Sequence, residues 1–410
     1  MVFLQLLLSG AINIMNKDFN WPLMHDAISR EDKDGLINFI NEPNVRFTNG
    51  LKVKEFESLW SNWLGISKSI FVNSGASAND ITMMALAEIY GVGEIIVPPL
   101  TWVSDVSSVI KAGHKPIFVD INQKSLAIDS EQILKALTSK TKAIFLTHVL
   151  GLNALTNDLL NVIKEENILL IEDACESHGA IFNGKKVGTF GLASNFSFYF
   201  AHHMTTIEGG MISTDDEDFY DVARMMRSHG LVRESPFTKT REKYISEHPD
   251  LNEDFIFAFA SHNMRSTELN AVLGISQLSR LDSYIEQRRH NFQLFIDNLD
   301  SRIFQTDFIS KGNSNYAFIL ILREKSFELQ TKVEEVLNAN KIEFRRGLAG
   351  GGNQLRQPYL KNTLSQLDLK NFPVVEHIHF FSWYIGNNPT ITSNQIIDLC
   401  QSLSSEELIK

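Results

Sequence analysis

The chain has 410 residues, 43% of them hydrophobic, with 10 prolines and a formal net charge of −11. That length and apolar share bury a sizeable core in about two or three globular domains. The acidic balance, with no cluster of Lys and Arg, excludes a broad nucleic-acid footprint. Cys175 and Cys400 are too few for a disulfide framework or the four thiolates of an iron–sulfur cluster, which suits a reducing, cytoplasmic setting.

Residues 1–14 open on the apolar run Val2-Phe3-Leu4-Gln5-Leu6-Leu7-Leu8, followed by small Ser9-Gly10-Ala11. No basic residue precedes Lys17 and the run is too short to span a bilayer, so the segment reads as an extension, Met15 as the better start, and no membrane is expected as a partner. From 69 to 213 short β-branched runs alternate with amphipathic stretches. The runs are Ile70-Phe71-Val72, Glu94-Ile95-Ile96-Val97, Pro116-Ile117-Phe118-Val119-Asp120, Ala143-Ile144-Phe145-Leu146, Ile168-Leu169-Leu170-Ile171, Phe196-Ser197-Phe198-Tyr199 and Met211-Ile212-Ser213. This alternation predicts an α/β fold with a mostly parallel, largely buried sheet. A helix is predicted over 129–137, where Asp129 and Gln132 have capping-box spacing.

After a long helical stretch over 268–298 a smaller α+β unit is expected. It comprises a strand over 316–322, a helix over 327–337, a strand over 342–345 and a closing helix over 395–403. The division expected is a large cofactor-binding domain over 15–285 and a small C-terminal domain over 286–410. Leu348-Ala349-Gly350-Gly351-Gly352-Asn353 reads either as a flexible connection or as a ligand-facing loop.

Ligands of open α/β sheets sit at the carboxyl ends of strands, so the residues after these runs are the candidate site. In Phe71-Val72-Asn73-Ser74-Gly75-Ala76-Ser77 small residues occupy a strand-to-helix turn. Close backbone approach at Gly75 and Ala76, the Ser77 hydroxyl and the positive end of the helix would make a phosphate cradle, though the same pattern also serves as ordinary turn chemistry. Ile171-Glu172-Asp173-Ala174-Cys175-Glu176-Ser177-His178-Gly179 sets Asp173 at a strand end, where a carboxylate suits a pyridinium nitrogen. The rival is a metal site built from Asp173, Cys175, His178 and the His202-His203 pair, but Asp-x-Cys-x-x-His fits no standard zinc spacing and no metal is expected. Last comes Ser197-Phe198-Tyr199-Phe200-Ala201-His202-His203-Met204-Thr205-Thr206-Ile207-Glu208-Gly209-Gly210.

Together these segments resemble the DegT/DnrJ/EryC1/StrS sugar aminotransferase family, and the likeness runs from about residue 19 to the C-terminus. In that family a lysine six residues before the Glu-Gly-Gly forms a Schiff base with pyridoxal phosphate; here that position is His202. An imidazole cannot form that bond, so the resemblance implies pyridoxal or pyridoxamine 5'-phosphate held non-covalently, with His202 as acid or base and His203 as runner-up. The substitution is similar to that of the family's dehydratase branch, which removes the 3-hydroxyl of nucleotide-linked 4-keto-6-deoxyhexoses. With two cysteines the chain resembles the kind that regenerates its amine from L-glutamate rather than the kind with an iron–sulfur cluster.

The resemblance also implies the fold of aspartate aminotransferase-like (fold type I) enzymes and a homodimer with shared active sites. Trp102 would stack on the cofactor ring, Asp173 and Glu176 would meet the cofactor, Ser197 its phosphate, and Asn263 the phosphate in the neighbouring subunit. His229, Arg233, Arg265 and Arg345 are the candidates for gripping a nucleotide diphosphate or the carboxylate of an amino donor. A nucleotide-sugar aminotransferase and a catalytically silent sugar-nucleotide-binding member are the competing readings.

Overall fold

A computed structural model describes residues 20–361 and 367–408, so the expectations for 1–14 and Met15 lie outside the described residues. The main sheet has seven strands: β1 (Lys68–Val72), β2 (Glu94–Val97), β3 (Lys115–Phe118), β4 (Thr141–Thr147), β5 (Leu169–Asp173) and, past a small hairpin of β6 (Ile181–Phe182) and β7 (Lys185–Lys186), β8 (Ala193–Ser197) and β9 (Gly210–Thr214). Their order is β1-β9-β8-β5-β4-β2-β3. β9 runs antiparallel to both neighbours, and the other pairings are parallel. Successive side chains feed opposite layers, as period-two strands require: Ile95 and Phe145 enter one apolar cluster, Ile96, Ile144 and Leu146 the other.

Helices Gly75–Tyr90, Val103–Lys111, Ser130–Ala136, Asn157–Glu165 and Glu217–Arg227 accompany these strands. Local chemistry starts several of them. Asp129 accepts the N–H groups of Glu131 and Gln132, Thr156 that of Leu159, and Asp216 that of Phe219. β8 begins earlier than its apolar residues suggest, because its polar residues are satisfied inside: Ser194 donates to the Gly188 carbonyl, and Asn195 pairs with Thr82 and Asn79.

The helical stretch over 268–298 is two helices, Glu268–Leu278 and Leu281–Asn298. Arg280 leaves helical geometry between them (φ −114, ψ 1), with its guanidinium on Asp32. The second of these helices enters both cores, with Leu281 and Ile285 packing in the large domain and Phe292 and Phe295 in the small one. The division expected at 285 thus falls inside a helix rather than at a linker. The small domain is a sheet of β10 (Ala317–Ile321), β11 (Phe344–Arg346) and β12 (Ser382–Gly386) in the order β10-β12-β11, covered by Phe327–Ala339, Pro373–Phe381 and Ser393–Ser402. The N-terminal segment joins it too. Trp21 donates its indole N–H to the Gly386 carbonyl at 2.8 Å and exchanges backbone bonds with Lys341 and Glu343.

One buried carboxylate ties the sheet to the loop that precedes β8. Glu172 accepts the N–H groups of Gly188 (2.8 Å), Phe190 (2.8 Å) and Gly191 (3.0 Å), and lies 3.2 Å from His148 Nε2. Glu172→Gln would replace an acceptor oxygen by a donor amide facing N–H groups. We expect it to lower stability by about 3 kcal/mol, read as a fall in the urea midpoint.

Candidate active site

At the carboxyl ends of the strands lies a cavity of about 410 Å3, within the size range of small-molecule sites. Ser74, Gly75 and Ala76 line it after β1, Trp102 after β2, Thr147 and His148 at the end of β4, Asp173 at the end of β5, and Ser197 and His202 at and beyond the end of β8. The small domain adds Tyr316, Arg345, Ala349 and Tyr384, and the N-terminal segment adds Leu23 and Met24. Gly350 (φ +82) packs on Trp102, where a Cβ would sit 2.5 Å from the indole, so the glycine-rich segment lies against the cavity, which Ala349 lines.

The turn after β1 is close-packed. A Cβ on Gly75 would lie 2.7 Å from the Ser197 Cβ, and one on Gly210 would lie 2.3 Å from the Ser74 carbonyl oxygen. Glycine at both places lets β1, β8 and β9 converge on the start of the helix, whose first N–H groups have no intrahelical acceptor. Ser74 caps that helix by accepting the Ser77 N–H at 3.0 Å. The Ser77 hydroxyl donates to Asn73 at 2.6 Å and accepts from Ser74 at 3.0 Å. It does not line the cavity, and Ser74 stands there instead.

Asp173 is almost fully buried and held from two sides: its carboxyl accepts the Cys175 N–H at 2.9 Å and an Asn79 amide N–H at 3.1 Å. Asn79 also reaches Asp105 at 2.7 Å, and Thr147 donates to Asp105 at 2.8 Å. Burial first, and then the charge of Asp173, hold Asp105 well above the usual carboxylate range. Asp105 therefore gives up its proton less readily than an ordinary carboxyl. On the same wall Glu176 accepts the Leu150 N–H at 2.9 Å, and its carboxyl is pushed up to about 7 by burial, opposed by that N–H and aided by Asp173.

His202 stands in the connection between β8 and β9. Its ring centroid is 5.4 Å from that of Tyr316 and 6.1 Å from those of Tyr199 and His178. Nδ1 is buried with no partner, and burial, then the Arg288 charge, bring the ring down to about 3, so the imidazole is neutral at physiological pH. His203 points into the interior: its Nε2 donates to the Ser314 carbonyl at 3.1 Å and its Nδ1 lies 3.3 Å from His178 Nδ1. Those two rings engage each other, and among the described residues no three His, Cys, Asp or Glu side chains converge to hold a metal. The connection itself is strained at Ile207 (φ +71), a conformation unfavourable for a β-branched residue. Asn270 restrains it by donating to the carbonyls of Thr206 and Glu208.

Residues 30–404 match the model of the DegT/DnrJ/EryC1/StrS aminotransferase family. The chain belongs to that family. It is 32% identical to a GDP-4-keto-6-deoxy-D-mannose 3-dehydratase of Yersinia pseudotuberculosis over 93% of this chain and 97% of that one. Among solved structures it matches the Escherichia coli GDP-4-keto-6-deoxy-D-mannose-3-dehydratase with bound hydrated PLP at a TM-score of 0.82 and 29% identity, covering 95% of this chain and 100% of that one. A GDP-4-keto-6-deoxymannose-3-dehydratase with a trapped PLP-glutamate geminal diamine matches at 0.81 and 29%, covering 94% and 100%.

Of the residues that the family resemblance singled out, Gly75, Ala76, Trp102, Asp173, Glu176, Ser197, His202 and Arg345 share the cavity. Asn263, His229, Arg233 and Arg265 do not line it in their own chain. Asn263 is exposed and accepts the Arg265 N–H at 3.3 Å; Arg265 bridges Val72 at the end of β1. His229 is exposed at φ +64, and Arg233 lines a separate groove, its guanidinium 5.2 Å above the Phe255 ring. Sequence reasoning missed Asp105, Tyr316, Tyr384, Leu23, Met24 and Arg288. Asp105 reads as an ordinary acidic first-turn residue and Arg288 as a solvated helix charge, so neither sends a local signal.

Folding leaves Asp105 protonated above the ordinary 3.8 at which an unfolded carboxyl loses its proton. The native state therefore binds the extra proton, and wild-type stability falls as pH rises beyond that value. Asp105→Asn is neutral throughout. Its thermal midpoint, measured relative to wild type, should rise as the pH is raised above the ordinary carboxyl value of 3.8.

Proposed function

We propose that this chain is a pyridoxamine/pyridoxal-phosphate-dependent 3-dehydratase that removes the 3-hydroxyl of a GDP-linked 4-keto-6-deoxyhexose, with L-glutamate restoring the amine form of the cofactor. The observation that carries this is His202 in the cavity wall with no lysine there among the described residues. A sugar aminotransferase would need that lysine. The cytoplasm is the proposed site of action and deoxysugar or lipopolysaccharide synthesis the proposed use; no helix among the described residues is long and apolar enough to cross a membrane.

The residues present fit the cofactor. The turn at Gly75 and Ala76 brings the first N–H groups of a helix and Ser197 to the cavity wall, where a phosphate can be held, and Trp102, 53% exposed, offers an aromatic face to a planar ring. Asp173, held by the Asn79 amide and the Cys175 N–H, would meet the ring nitrogen and keep it protonated; Glu176 would contact the ring from the same wall. When bound, the cofactor supplies an amine for the sugar's keto group and a ring that withdraws electrons. The protein's own part is proton traffic. His202, neutral at rest, is ready to accept a proton beside the reacting carbon, and its conjugate acid, made strong by burial and by Arg288, is a good donor to the departing 3-hydroxyl, which leaves as water. Arg345, exposed at the rim on β11, is placed to grip the anionic part of the substrate or donor.

Borohydride treatment followed by intact-mass measurement should show no cofactor adduct on the wild-type chain. Incubation with GDP-4-keto-6-deoxymannose and L-glutamate should yield the 3-deoxy sugar nucleotide. His202→Asn should keep the bound cofactor and lose at least about a hundredfold in rate, whereas His202→Lys should turn yellow and form a reducible adduct. A stable adduct on wild type, or near-normal elimination by His202→Asn, overturns the reading.

The active unit we propose is a homodimer in which Asn263, His229, Arg233 and Arg265 act on the neighbouring subunit's site. What supports this is their position outside their own cavity, with Asn263 and His229 exposed and His229 held in a left-handed conformation. His202→Asn and Asn263→Ala subunits, each impaired alone, should regain activity on mixing, because half of the mixed dimers' sites are then intact. A fully active monomer would contradict the proposal.

A further inference from the structure

A second, smaller cavity of about 60 Å3 shares the His202 wall with the first. Arg288, 6% exposed and in the middle of helix Leu281–Asn298, lines it. One guanidinium nitrogen donates to the Tyr316 carbonyl at 2.9 Å and to the Asn387 carbonyl, while Nε is buried with no partner. No carboxylate lines this cavity, and Arg288 forms no ion pair among the described residues. His202 Nδ1, also buried and unpartnered, belongs to a ring in the same wall. A buried cation ordinarily has a counter-charge, and none is found for Arg288 among the described residues.

We propose that this cavity is a compact-anion site, in which a halide-sized monoanion rests against Arg288 and His202, supplies the missing counter-charge and sets how readily His202 takes up a proton. The volume suits a compact anion and is far smaller than a sugar nucleotide needs. The polar lining suits it, since Arg288 and His202 both line the cavity and each keeps a ring or guanidinium nitrogen without a partner. Arg288 from its helix, His203 beside it in the chain, His178 after β5, and the rings of Tyr199 and Tyr316 all face His202. Asp173, Glu176, Glu208, Arg345 and Tyr384 complete the wall on the larger side, and His25 and Tyr284 that on the smaller. Among these Arg288 is the group whose charge, after burial, holds the His202 ring down, so an anion placed on Arg288 makes His202 more basic. The catalytic consequence rests on the dehydratase reading, whereas anion binding does not.

Bromide is the probe. Crystals of the full-length protein soaked in sodium bromide should show an anomalous peak in the cavity beside Arg288. In parallel, 15N-histidine spectra of the protein in bromide and in gluconate at equal ionic strength, followed through the acid range in which the fold persists, should show His202 binding its proton about threefold or more tightly in bromide. His202→Asn assigns the signal. Arg288→Gln should remove both the peak and the bromide dependence; should it fail to fold, the wild-type comparison decides alone. An empty cavity in the bromide crystal, or bound bromide with unchanged His202 titration, overturns the proposal. Neither measurement uses substrate, so both outcomes stand apart from the fate of the dehydratase reading.

Discussion

Two adjacent carboxylates at the end of β5 govern how the large domain is assembled. Consecutive strand residues point to opposite faces, so Glu172 and Asp173 serve opposite sides of the sheet. Glu172 faces backbone N–H groups of the loop before β8, fixing where that strand enters. Asp173 faces the cavity, where Asn79 and the Cys175 N–H hold it in place. Burying so much acid in one place is tolerable because donors surround it, Asn79 and Thr147 reaching Asp105 as well, and because burial and the charge of Asp173 make Asp105 hold its proton more tightly than an ordinary carboxyl.

The same economy of charge extends across the cavity. On the floor the charge of Asp173 and burial raise Asp105 above the ordinary carboxyl range; at the back the Arg288 guanidinium, bonded to backbone carbonyls, faces rings held neutral. The site is thus polarised between an acidic side under Trp102 and a basic side behind His202. A proton delivered to His202 finds no stable resting place and is readily passed on.

Much of this arrangement was legible because it obeys local rules. The strand ends follow from apolar runs buried on both faces, and the glycines of Gly75 and Glu208-Gly209-Gly210 mark a backbone crossing so tight that a methyl group at Gly210 would overlap the Ser74 carbonyl. The choice between His202 and His203 required coordinates, since only the direction of each ring separates a cavity wall from a buried bond to Ser314. The placing of Ser74 rather than Ser77 in the cavity wall needed coordinates for a similar reason, because within one turn the Ser77 hydroxyl is engaged by Asn73 and Ser74. Asp105, Arg288, Tyr316 and Met24 come from distant segments with ordinary surroundings, and proximity across a fold leaves no trace in spacing.

Helix Leu281–Asn298 is embedded at one end in the core of the large domain and at the other in that of the small. It works as a ruler. Prising the lobes apart would require bending this rod near Arg288, where the guanidinium is fastened to carbonyls flanking β10 and β12. The spacing of the two lobes is therefore tied to one continuous helix, and a change in that helix would be felt in both cores at once.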